Sequence, residues 1–176
     1  MGELRAISAD AVERAIGKAE RYRLLNEPRE AASICEDVLA VDSSNAEARQ
    51  ILLLAITDQF DGRDRDRLTR ARSIVDALTD PFQQKYLGGV VAERWGKAML
   101  DAGLARSRAK DFIDEAMTLF DEAEAISPPG NDDAILRWNT CVRLVARYEL
   151  DKPAHTGDRD ARLAAEIESA WDDTPA

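Results

Sequence analysis

Few side chains in this sequence are equipped for chemistry. The single histidine, His155, lies in the loop DKPAHTG with no serine or cysteine at a meaningful spacing, so a nucleophilic triad would have one imidazole to draw on. Lys152 stands three residues before it, where the Glu-x-x-His pair of a di-iron bundle needs a glutamate. Cys35 and Cys141 belong to no C-x-x-C or other metal spacing and fall on apolar helix faces, which reads as buried reduced thiols. Asp114, Glu115, Asp121, Glu122 and Glu124 make a carboxylate run whose plain reading is a solvated helix face. Arg63, Arg65, Arg67, Arg70 and Arg72 are interleaved with Asp61, Asp64 and Asp66. Much of their charge cancels, and a solvated connection is favoured over a phosphate-binding patch. Asn139 and Arg143 sit four apart, off the apolar stripe of their helix, and Arg94 adjoins Trp95 in another. The plainer reading pairs Arg94 with one of the chain's 34 acidic residues. No catalytic residue, metal site or cofactor is expected.

The elements that would position these groups are helices. Apolar residues at 12, 15, 16, 19 and 22 predict a helix from about Asp10 to Leu25. Pro28 then opens a second helix carrying Ala31, Ile34, Cys35, Val38 and Val41. Ser44 with Glu47 forms a capping box before a third helix, about Ala46 to Phe60, whose ILLLAI run is apolar most of the way round. DGRDRDR reads as a charged, flexible connection into a fourth helix with Leu68, Ala71, Ile74, Val75 and Leu78. Asp80-Pro81 starts the fifth, about Pro81 to Ala102, with Gly103 at its C-terminal cap. The sixth runs from about Ala109 to Ile126, where SPPG stops it. The seventh, about Asp132 to Tyr148, presents a stripe of Ile135, Trp138, Val142 and Val145 with Cys141 beside it. A last amphipathic helix, Asp158 to Trp171, follows. Nowhere does strand-like alternation persist between turn signals. The expected class is all-α, built of antiparallel helix pairs.

The second helices of these pairs share a pattern: Ala31-x3-Cys35, Ala71-x3-Val75 and Ala116-x3-Phe120, the last followed by Pro128. Ala-x3-Phe and then proline resembles the tetratricopeptide repeat, with Tyr22 at the first-helix tyrosine of the first unit. The resemblance spans residues 10–150. It departs from the family in the longer spacing of the later units and in Lys18 and Ala19, which stand where Leu and Gly would be. GNDDAILRWNTC is also similar to an uncharacterised bacterial group of such proteins, from which no activity carries over. The resemblance implies a right-handed superhelix of about three units over residues 1–150. Residues 151–176 then form a linker and a capping helix. It also implies a concave groove lined by first helices. Its register places Gln84, Leu87, Val91, Arg94 and Trp95 of the fifth helix there, with Asp132, Ile135, Asn139 and Arg143 of the seventh. The resemblance thus implies that Arg94, Arg143 and Asn139 could meet in one groove and grip a carboxylate or phosphate through forked hydrogen bonds, with Trp95 as an apolar or cation–π wall. The corresponding positions earlier in the chain are Glu13, Glu20, Arg23, Glu47, Gln50 and Asp58, unlike the Lys/Asn carboxylate clamp of chaperone-binding members.

A net charge of −10 repels nucleic acid and anionic lipid. The N-terminus has no apolar signal core, so a cytoplasmic protein is expected. The function expected from the resemblance is a non-enzymatic adaptor holding a peptide or protein in the groove. A small-anion or metabolite sensor using Arg94, Asn139 and Arg143 is the alternative, and an RNA binder a weaker one. The last helix would cap the array, or else lie in the groove of its own chain or of a second copy in a homodimer.

Overall fold

A computed structural model describes residues 2–152. His155 and the expected last helix lie outside the described residues. The described chain holds seven α-helices, preceded by one 3-10 turn at Ala9–Ala11, and no strand: α1 (Val12–Leu24), α2 (Pro28–Val41), α3 (Ala46–Thr57), α4 (Arg65–Asp76), α5 (Pro81–Asp101), α6 (Arg106–Glu124) and α7 (Asp133–Arg147). The chain divides after Gln59 into two compact units. The expected second helix pair straddles that boundary, with α3 in the first unit and α4 in the second. No helix among the described residues is long and apolar enough to cross a membrane.

In the first unit α2 packs on both α1 and α3. Ala31, Cys35 and Val38 are fully buried on α2, and Ile16 and Ala19 are the buried residues of α1. Asn26, at a positive φ of 62°, closes α1, and Pro28 starts α2, where its missing N–H costs nothing. The cap of α3 differs from the expected Ser44–Glu47 box. Asn45 accepts from the Ala48 N–H at 2.9 Å, while the Ser44 hydroxyl donates to Asp42 at 2.8 Å. Either side chain has the chemistry to cap; the turn places Asn45 one residue nearer the helix. Arg23 on α1 and Asp58 at the end of α3, 2.7 Å apart, close the unit with an ion pair.

The second unit is organised around α5, which packs against α4, α6 and α7. Its tightest seam is with α6. Gly89 lies against the Phe120 ring, where an added Cβ would come within 2.6 Å. Gly96, two turns on, lies against Ile113, where a Cβ would come within 2.9 Å of the side chain. Seven residues along α5 thus match seven residues back along α6, an antiparallel register. Ala109, Ala116 and Ala123 share the α6 face with Ile113 and Phe120, and all five are completely buried. Glycine on one helix and alanine on the other let the axes approach, and the two large side chains fill the space left.

The DGRDRDR connection is tied by hydrogen bonds to its own aspartates. Asp61 accepts from the backbone N–H groups of Arg63 and Asp64 at 2.8 and 2.9 Å, and Asp64 caps α4 through the Arg67 N–H. Gly62, at φ +76°, sits so near α5 that a Cβ would lie 2.8 Å from the Met99 backbone. Short aspartates that bond their own backbone turn a charged run into a fixed corner.

The α5–α6 seam sets opposite expectations for two glycines. Gly89→Ala should lower unfolding free energy by about 1–3 kcal/mol through overpacking, and adding Phe120→Leu should restore part of it. Gly17→Ala, on an open face of α1 with nothing near, should raise stability by about 0.5–1 kcal/mol through helix propensity. Denaturant titration of the variants checks both; a tolerated Gly89→Ala would refute the close seam.

Candidate functional site

The residues singled out on sequence grounds occupy very different surroundings. Trp95 is a core residue, 1% exposed. Its ring meets Phe60 edge-on at 5.1 Å and Phe112 at 6.3 Å, so it offers no wall to a ligand. Leu87, also expected to line a groove, is buried as well, whereas Gln84 and Val91 line the cleft between α4 and α6 described below. α5 has neighbours on three sides, and Trp95 lies on a side that is closed. Arg94 is half-buried, and its charge acts on the adjoining Glu93. Asn139 is half-buried and Arg143 exposed, both on the solvent side of α7.

The link between α5 and α7 runs through different residues. Glu93, only 4% exposed, faces Arg137, with both carboxylate oxygens 3.3 and 3.4 Å from one guanidinium nitrogen. The Tyr86 side chain is near enough to favour the Arg137 charge as well. Burial pushes the Glu93 carboxyl above the ordinary glutamate range, and the Arg137 charge pulls it part of the way back. Cys141 lies one turn along α7. Burial, and secondarily the Glu93 charge, push its thiol up to about 12. The Cys35 thiol in the first unit is pushed up to about 11, again chiefly by burial. Both cysteines are free, buried thiols, as expected.

Sequence reasoning passed over Glu93 and Arg137, although a signal exists. Glu93 is the lone acid between Val90, Val91 and Ala92 on one side and Trp95 and Gly96 on the other. An acid inside such a run must find a partner when the helix is buried on several sides. Arg137 follows from the true inner face of α7, which is Ala134, Cys141 and Leu144. That face is turned from the expected Ile135–Trp138–Val142–Val145 stripe. Trp138 and Val142 keep 37% and 39% of their surface exposed.

A concave surface does exist in the second unit, elsewhere. A cleft of about 480 Å³ opens between α4 and α6 over the first half of α5. Val75, Gly88, Val91 and Leu119 line it with apolar surface; Arg72, Lys85 and Glu115 edge it with charge. Gly88 leaves the floor without a side chain: a Cβ there would already be in van der Waals contact with Leu119 at 3.4 Å and Val75 at 3.6 Å. Arg72 forks onto Glu115, both oxygens at 2.8 Å, and its guanidinium lies over the Phe112 ring. Lys85 meets Glu122 at 2.5 Å. Arg72 of α4 and Glu115 of α6 are therefore partners across the cleft, while all five carboxylates of the α6 run are exposed, the solvated face that was expected. Among the described residues no group of His, Cys, Asp and Glu is arranged to hold a metal ion.

No known protein family matches this chain, and no curated protein or solved structure is detectably similar to it.

The Glu93–Arg137 pair predicts a pH-dependent penalty. Arg137→Met strands a buried carboxylate, at a cost of about 3 kcal/mol near neutral pH. A carboxyl whose folded pKa lies above its unfolded value loses stability as pH rises and regains it as pH falls. Protonated Glu93 needs no counter-charge, so the penalty should shrink as pH falls toward the ordinary value of 4.5. Thermal unfolding of both proteins across that range checks it, and a penalty independent of pH would refute the role given to Arg137.

Proposed function

We propose that the protein is a non-enzymatic adaptor that holds a peptide or protein partner in the α4–α6 cleft of the second unit. The observation that carries this reading is the cleft itself, with an apolar floor at Gly88 and charged edges of both signs. Its volume falls in the range of about 300–1,000 Å³ typical of ligand sites. An apolar anchor residue would enter over Gly88, and charges beside it on the partner would exchange with the Arg72–Glu115 pair. Exchange is cheap, because exposed ion pairs hold by only about 0–1 kcal/mol. The packing of α5 against α6 and of α6 against α7 is in keeping with the tetratricopeptide-like helix pairs that the sequence resembles. The superhelical arrangement and the adaptor role belong to this proposal, since a fold by itself assigns no function. Arg94, Asn139 and Arg143 stand in it as a second contact on the α5–α7 side.

The test is capture of partners from a lysate by wild type, Gly88→Phe and Arg94→Glu/Arg143→Glu, each of confirmed helicity. Gly88→Phe fills the cleft without straining a helical backbone. A protein retained by wild type and lost with Gly88→Phe is the expected result. Retention by Gly88→Phe with loss in the arginine variant would move the site to α7. Turnover of a substrate that Gly88→Phe abolishes would overturn the adaptor reading.

A further inference from the structure

The outer face of α1, in the first unit, carries a line of cations. Arg14, Lys18 and Arg21 are exposed and stand at spacings of four and three, one above another along the helix. The opposite face is the buried one, with Ile16 and Ala19. Among the described residues none of the three cations has an acidic partner, whereas Arg23 of the same helix is paired with Asp58. Lys18 instead lies over the Tyr22 ring, its Nζ 5.7 Å from the centroid. We propose that this face docks an acidic amphipathic helix of a partner protein, laid along α1.

Three observations carry this, none of which involves the α4–α6 cleft. The first is shape. A hollow of about 750 Å³ lies along this face, and its described lining is Ala11, Arg14, Ala15, Gly17, Lys18 and Arg21. Three of these six are alanine or glycine, and a Cβ at Gly17 would meet nothing within 4 Å. Small side chains let a second helix approach, and the stems of long cationic ones can lie against it. The second is apolar surface. Leu24 and Leu25, at the end of the line, keep 77% and 63% of their surface exposed. A partner with one apolar side would cover them, which a purely charged ligand would not. The third is the extent of the charge. Arg14 to Arg21 spans two turns, about 10 Å along the helix. Glu13 and Glu20 flank the line on one side, and the chain as a whole carries a net charge of −10. A nucleic acid or an anionic membrane would carry its charge past the line and onto that acidic surface. A helix with carboxylates spaced by three and four matches the three cations and ends within reach of them.

Fluorescence anisotropy with the full chain tests this. The probe is a labelled, helix-forming peptide of two heptads, with glutamate recurring at alternating spacings of three and four and leucine beside it. A second peptide has the same residues in an order that breaks the spacing. The first should bind saturably at low salt, and the second at least tenfold more weakly. Added salt should weaken the first, because exposed charges are screened. Arg14→Gln/Lys18→Gln/Arg21→Gln should also weaken it at least tenfold; glutamine has a helix propensity close to that of the residues it replaces, and circular dichroism checks that the helices are kept. Absence of saturable binding by the first peptide at low salt would overturn the proposal. Equal binding of the two peptides would overturn it too, since charge without helical spacing would then suffice. Equal binding by the wild-type and glutamine chains would place the peptide on another face. Tighter binding of polyuridylate or of phosphatidylglycerol vesicles, lost in the glutamine variant, would overturn it in favour of a nucleic acid or a lipid surface. A dimer of the free protein that the glutamine variant dissolves would overturn it in favour of a second copy. The comparison of the two peptides needs no substitution, so it decides the matter if the variant misfolds.

Discussion

The close approach of α5 and α6 is the constraint on which the second unit depends. Gly89 and Gly96 remove the side chains that would hold the helices apart, and Phe120 and Ile113 occupy the resulting hollows. Such a seam tolerates little, because an interior already at crystal-like density has no slack for an extra methyl group. It also fixes everything around it. With α6 against one side of α5 and α4 and α7 against others, α5 is buried nearly all round, and Trp95 is drawn into the core between Phe60 and Phe112.

That burial creates an expensive feature among the described residues of the unit. Glu93 occurs on a helix that has no wet face left for it at that level, so it is held by Arg137 across the α5–α7 seam. A buried ion pair is weak evidence of stability, since desolvation offsets much of the attraction. Its value lies in register. Arg137 meets Glu93 only if α7 turns Ala134, Cys141 and Leu144 inward, and that rotation leaves Trp138 and Val142 partly outside. A single polar contact in the interior thus determines which apolar surface the last described helix presents. The cleft over Gly88 has a similar origin: a glycine on α5, beside α4 and α6, leaves a floor without a side chain, and the paired charges of α4 and α6 stand at its rim.

Much of the local architecture is written in the chain. Pro28 and Asp80-Pro81 mark helix starts, Gly103 marks an end, and the 3.6-residue recurrence of apolar positions places all seven described helices within a few residues of their observed limits. These signals are legible because they act over one or two turns, where propensity and capping chemistry decide the outcome. Asn45 capping in place of Ser44, and the hydrogen-bonded corner at Asp61 and Asp64, show the limit. Neighbouring side chains with equal capability compete, and backbone geometry selects between them.

The site was much less legible. Arg94, Trp95, Asn139 and Arg143 were brought together by assuming one repeat register along α5 and α7. Helix rotation is set by which faces find partners, and partners are distant in sequence. α7 could bury either the Ile135–Val145 stripe or the Ala134–Leu144 line; the first is more apolar, yet the second is what fits against α5 and α6. The sequence by itself determined that this chain is helical, where its helices begin and end, and that its cysteines are buried thiols. Only the tertiary structure decided that Trp95 is core, that Glu93 and Arg137 are partners and that a cleft opens over Gly88, because each depends on close packing between helices that no local pattern encodes.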